Sequence, residues 1–207
     1  MKTTMRSHSS ASTTPVRTGP KGPARAWAIL LPFFLLTTAC DDDLFRVNWV
    51  ENPDTVILFS LARPELNLRS GFDFLSRTPI RIESPEATGK WDMVLDTHEG
   101  GLVLLPPGAL GIEGTKARII PMGPVDFDEV RRAPSDTTTY IGDEPVPVEV
   151  GHVYVVRTRQ QAGFYGRQCV YYGKFEPLEE DPVEGRLTFM FDVSPVCNSR
   201  KLYPPKD

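Results

Sequence analysis

From residue 54 onward, apolar and polar residues alternate with period two in short stretches, and Pro, Gly, Asn and Asp stand between the stretches. That period sends successive side chains to opposite faces and predicts half-buried strands. Residues 54–61 (DTVILFSL) form a β-branched and aromatic run between Pro53 and Pro64, and residues 79–84 (PIRIES) set Ile80 and Ile82 against polar neighbours. Trp91, Met93 and Leu95 alternate with Asp92, Val94 and Asp96; Gly100-Gly101 then leads into the apolar residues 102–105, a hairpin pattern. Residues 117–121 suit one more short strand. Residues 126–132 (DFDEVRR) place acids first, arginines last and Pro134 just beyond, which predicts one or two helical turns.

The last third repeats the strand signal three times, over residues 152–160, 167–175 and 186–193, with Gly-containing or acidic turns between them. This reads as an antiparallel meander. In the third run Leu187, Phe189, Phe191 and Val193 share one face, expected in the core, while Arg186, Thr188, Met190 and Asp192 share a wet or partner-facing one. Many prolines, short strands and scant helix predict an all-β fold: a single antiparallel sandwich or open barrel over residues 46–207, with at most one short helix.

Ahead of this pattern lies a different segment. Lys2, Arg6, Arg17, Lys21 and Arg25 occur without any acid, then residues 26–36 are apolar apart from Pro32. Such a run is too short for the roughly 20 residues a membrane-crossing helix needs, and it predicts a cleavable export signal. Its end, Thr37-Thr38-Ala39-Cys40, resembles a bacterial lipoprotein signal, although Thr37 stands where that family usually has Leu. The resemblance implies a signal peptide over residues 1–39 and a diacylglyceryl group on Cys40. Residues 40–45 then form a short acidic tether, and the exported domain is held to the membrane of the cell envelope by lipid. An ordinary secretory signal cut nearby is the alternative.

Residues 1–39 hold five of the 23 Lys and Arg and none of the 27 Asp and Glu, so the chain from Cys40 onward has 18 basic residues and a formal charge near −9. A nucleic-acid partner is not expected, because a polyanion is repelled and neither Arg131-Arg132 nor Arg157 with Arg159 makes a basic stripe. Attachment to the membrane then rests on acyl chains, which contribute about 0.8 kcal/mol per buried methylene. Beyond Cys40 only Cys169 and Cys197 remain. An even pair in an exported chain predicts a disulfide, with two free thiols or a metal site as the other readings.

Phosphate loops, GxGxxG, HExxH, GxSxG and CxxCH are absent from the sequence, and only His98 and His152 follow Cys40. His98 shares its parity with Asp92 and Asp96, so a regular strand puts two carboxylates and an imidazole on one solvated face next to a turn. We expect a surface rather than a metal centre there, and no enzyme.

The order Trp91-Asp92-Met93-Val94-Leu95 with Gly100-Gly101, Phe127-Asp128-Glu129-Val130 with Ala133-Pro134, residues 153–158 (VYVVRT) and Tyr172-Gly173-Lys174-Phe175 resembles the HmuY-type haem-binding lipoproteins. The resemblance implies a lipid-anchored all-β protein that holds haem iron between side chains, commonly histidines. His98 and His152 are the imidazoles available for ligand binding. Two readings follow: a non-enzymatic binding or structural module with an envelope protein as partner, or a carrier of haem or another small ligand.

Overall fold

Alternating apolar positions build two antiparallel sheets in the computed structural model, which describes residues 49–50 and 52–204. Twelve strands are found among them: β1 (Asp54–Phe59), β2 (Gly71–Asp73), β3 (Thr78–Ile80), β4 (Met93–His98), β5 (Gly101–Leu105), β6 (Arg118–Gly123), β7 (Val146–Pro147), β8 (Val153–Arg157), β9 (Gln161–Ala162), β10 (Gln168–Cys169), β11 (Tyr172–Asp181) and β12 (Arg186–Val193). The first sheet runs β1-β12-β11-β8-β6 and the second β3-β2-β4-β5-β7, with β9 and β10 as a separate small hairpin. The sheets pack face to face as a sandwich and do not close into a barrel. The predicted meander is the centre of the first sheet, where β8, β11 and β12 are neighbours, but its middle strand runs from Tyr172 to Asp181 rather than over residues 167–175, because Gln168 and Cys169 pair with β9 instead.

Between the sheets lies an aromatic core. Phe72 meets Phe191 edge-on at 4.7 Å, and Tyr154 stacks on Phe175 at 4.9 Å. The Tyr154 hydroxyl donates to the Pro147 carbonyl and accepts the Glu149 amide, so its polar tip is satisfied while burial pushes its pKa up to about 12. Gly173 permits the close contact of the layers, since a Cβ there would lie 2.7 Å from Phe74 Cδ1. The inward set Leu187, Phe189, Phe191 and Val193 is buried as expected.

Both outer faces are also covered in part, and here the structure departs from expectation. Over the first sheet, Phe127, Val130, Ala133, Tyr140 and Leu202 pack on Val153, Val155 and Tyr172, with Met190 at the margin. The chain's own segment therefore covers part of the face of β12 expected to be wet. That segment is not a helix. Residues 127–129 make a turn, and no α-helix occurs among the described residues. Its main-chain groups are drawn to the C-terminal tail instead: Ala133 N–H donates to Arg200 O, and Leu202 N–H to Arg131 O. Burying Phe127, Val130 and Ala133 against a sheet overrides a weak local preference for helix.

Over the second sheet, Trp91, Val94, Val103 and Leu105 cluster with Ile80 and Ile82. Met93 and Leu95 face the inter-sheet core while Val94 is buried on the other side, so β4 has no continuous wet face. Only its last residues, Asp96 to His98, approach solvent. A bond between Cys169 and Cys197, with Cα atoms 5.1 Å apart, ties β10 to the segment after β12. Next to it Asn198 exchanges hydrogen bonds with the Val170 main chain, its Oδ1 accepting at 3.0 Å and its N–H donating at 2.9 Å. The apolar run, Cys40 and the acidic tether lie outside the described residues.

Candidate functional site

The densest polar chemistry sits where the chain leaves β8. Arg159 reaches from the first sheet to two acids of the second, with Nη2 3.0 Å from Asp73 Oδ2 and Nη1 3.1 Å from Asp92 Oδ1. Asp92 is wholly buried. It also accepts the Arg159 amide at 2.8 Å on Oδ1 and the Phe74 amide at 2.9 Å on Oδ2. Asp73 takes the second fork of the guanidinium and caps the turn after β2 through the Leu75 amide. The expectation of a solvated Asp92 is therefore corrected: β4 begins only at Met93, and Asp92 lies where the chain enters it, with its side chain directed at Arg159 and Phe74.

Burial pushes the Asp92 carboxyl up to about 6, against the opposing pull of the Arg159 charge, the two amides it accepts, and with a smaller push from Asp73. Burial also opposes the Arg159 charge, but Asp73 and Asp92 outweigh it and hold its pKa above the ordinary value. The group is closed on itself, with every named charge engaged inside the fold. Such a cluster joins two layers; it presents no free acid or base to a substrate.

A second buried cation, Lys174 on β11, donates to the Phe127 carbonyl and lies 4.1 Å from the centre of the Phe127 ring. Burial lowers its pKa, opposed by Asp128, Asp192 and Asp126. Lys174 thus holds down the segment that covers the first sheet. Arg77 does similar work at the sandwich edge, binding Asp54 at 2.8 Å and Asp192 at 3.3 Å.

The histidines have a different setting. His98 ends β4 opposite Gly101 and is exposed, 3.7 Å from Glu99; His152 precedes β8, half-buried, with Nδ1 3.1 Å from Glu149 Oε2. Val148 N–H donates to Leu102 O, so the corner that carries Glu149 and His152 is bonded to the hairpin that carries His98. The fold thereby brings both imidazoles to one end of the sandwich, without a hydrogen bond between them. Among the described residues no three His, Cys, Asp or Glu side chains gather as a metal site.

Two open hollows mark the surface. One of about 440 Å³ is lined by Asn67, Arg69, Ile80, Arg81, Ser84 and Glu86 among others, and one of about 410 Å³ by Met122, Val125, Glu129, Val130, Arg131 and Arg132. Neither includes a histidine. Sequence reasoning missed Asp73 and Arg159 as a pair, since they stand 86 residues apart. The available signal was an acid lodged between Trp91 and Met93, a place too apolar to leave it without a buried cation. No helix among the described residues is long and apolar enough to cross a membrane. Compared with protein-family models, with curated proteins and with solved structures, the chain matches none.

Proposed function

We propose that this chain is an exported protein, anchored by lipid at Cys40 to a membrane of the cell envelope, whose β-sandwich serves as a non-enzymatic binding or structural module. The observation that carries the reading is the Cys169–Cys197 bond. It belongs to an oxidising compartment and accounts for both cysteines after position 40, which leaves Cys40 for the acyl group. Engagement of Asp73, Asp92, Arg159 and Lys174 in internal contacts supports the non-enzymatic part, because those buried groups hold layers together. Metabolic labelling with a radioactive fatty acid tests the anchor. Label should enter the parent chain and be lost in Cys40→Ser, which then stays uncut or partitions into the aqueous phase; a variant that still partitions with detergent like the parent overturns it.

The placement of His98 and His152 at one end of the sandwich favours a second reading, a carrier of haem or a related small ligand with those imidazoles as ligands. Haemin added to the purified protein then gives an intense Soret band that weakens in His98→Ala or His152→Ala. Absence of the band in the parent removes this reading and leaves the first in place.

A further inference from the structure

The described chain enters the domain at one end of the sandwich. Trp49 Nε1 donates to Asp192 Oδ2 at 3.3 Å and Asp54 lies opposite Phe191, so the entry is beside the last residues of β12. β8 finishes at that end and β11 starts there, since Arg157 faces Tyr172 and Gly173 faces Val193. The hairpin β9–β10 connects these two strands and therefore projects from the entry end. His98 and His152 lie at the other end: β4 runs to His98 away from Asp92 and its Arg159 contact, and His152 precedes β8.

Charge differs between the two ends. No acid occurs over residues 158–175 or 193–204, which carry Arg159, Arg167, Lys174, Arg200 and Lys201. The acids that approach the entry end, Asp54, Asp73, Asp92 and Asp192, are held by Arg77 and Arg159. At the far end the turn from β11 to β12 holds Glu179, Glu180, Asp181 and Glu184, where Arg186 and Arg63 pair with Glu179 and Glu184. The tip of the hairpin is Tyr165, 97 % exposed. Its φ is 58° and that of Gly166 is 73°; glycine adopts this left-handed region freely, a bulky side chain does so at a cost, and Asn tolerates it. The fold thus retains a strained aromatic that it does not bury. Its mount is firm: Cys169 is bonded to Cys197, Asn198 Nδ2 donates to Gln168 O at 3.3 Å, and a Cβ on Gly163 would run into Cys169 Sγ. A tip fixed in this way loses little further freedom on binding.

We propose that the β9–β10 tip is a second membrane contact, in which Tyr165 enters the headgroup layer of the bilayer that carries the acyl anchor and Arg167 meets lipid phosphate. This contact rests on lipid attachment at Cys40. Cys40 stands nine positions before Trp49, and nine residues span at most about 30 Å, so the entry end is the one tethered to the bilayer. Tyrosine suits the headgroup layer because its ring is apolar and its hydroxyl stays wet, and the arginine fork matches phosphate oxygens. Anionic lipid repels the acidic body as a whole, but acid-free segments turned to the bilayer remove that penalty where the approach is closest. His98 and His152 then face away from the membrane.

The test is a depth measurement on the acylated full chain in vesicles of phosphatidylglycerol and phosphatidylcholine. A nitroxide is placed on Ala162→Cys, beside the tip, or on Val183→Cys in the far turn, both exposed positions. With Cys169 bonded to Cys197 and Cys40 acylated, the new thiol is the one that takes the label. Collision with a water-soluble nickel chelate should be several-fold lower at position 162 than at 183, and collision with oxygen higher, the signature of lipid. Adding Tyr165→Asn and Arg167→Glu should restore nickel collision at 162 while the chain still floats with the vesicles and unfolds at no lower temperature, because Asn suits the left-handed tip. Equal nickel collision at 162 and 183 in a chain that floats and incorporates fatty acid would overturn this contact and leave the anchor standing. Shielding of 162 from nickel and oxygen alike would place a protein on the hairpin, and a lower unfolding temperature in the Asn and Glu variant would make Tyr165 a structural residue; either overturns the proposal. A chain that neither incorporates fatty acid nor floats removes the anchor, and this contact with it.

Discussion

One oxygen, Asp92 Oδ1, receives both the main-chain N–H of Arg159 at 2.8 Å and its guanidinium Nη1 at 3.1 Å. The first sheet is thus clasped to the second through the backbone and the side chain of a single residue. Arg159→Ala leaves Asp73 and Asp92 buried without their cation, and breaking such a cluster costs about 3–5 kcal/mol. Chemical denaturation should show that loss, with a smaller one in Arg159→Lys, which keeps the charge but not the fork. An alanine variant as stable as the parent would remove the clasp from the account of stability.

Acidity should act through Asp92 in a defined direction. Its folded pKa, about 6, lies above the ordinary 3.8, so the folded state holds the proton more tightly than the unfolded one between those values. Its contribution to stability is complete below about pH 4, falls as pH rises to about 6 and is constant above, with a span on the order of 2–3 kcal/mol. Asp92→Asn cannot titrate, so the stability difference between parent and variant should change across this window. The exposed acids whose pKa values are lowered, Glu65, Glu86 and Asp136, act in the opposite sense and cancel in that difference. Parallel curves for the two proteins would refute the assignment.

The disulfide closes a loop with a sequence separation of 28 residues. Replacing both cysteines by Ala should lower stability by about 3–4 kcal/mol in the chain-entropy description. The loss should be local first. Amide exchange at Asn198 and Leu202 should quicken before that of the β11–β12 ladder, and uniform acceleration would contradict the tail-pinning role.

Lys174→Met keeps the apolar stem and removes the donor to the Phe127 carbonyl. An orphaned buried carbonyl costs about 1–3 kcal/mol, so the covering segment should loosen even though a buried charge has been removed. Faster exchange at Ala133 N–H, which is bonded to the tail at Arg200, is the expected sign. Unchanged exchange there would show that apolar packing alone holds the segment.

Local pattern determined the strands, because alternation at period two reports which faces are buried wherever each residue acts through its own neighbours. The run Arg186–Val193, the hairpin from Met93 through Leu105 and the meander of β8, β11 and β12 are legible in that way, as is the pairing of Cys169 with Cys197 once other cysteines are spent. Tertiary structure decided the rest. The first turn of residues 126–132 has helical signals, yet Phe127 and Val130 are worth more buried against β8 and β11 than in two unsupported helical turns. The very short strands β2 and β7 carry too few residues to show a period, and exist because neighbours pair with them. Asp92 looked solvated by alternation, and only the arrival of Arg159 from 67 residues away makes its burial tolerable.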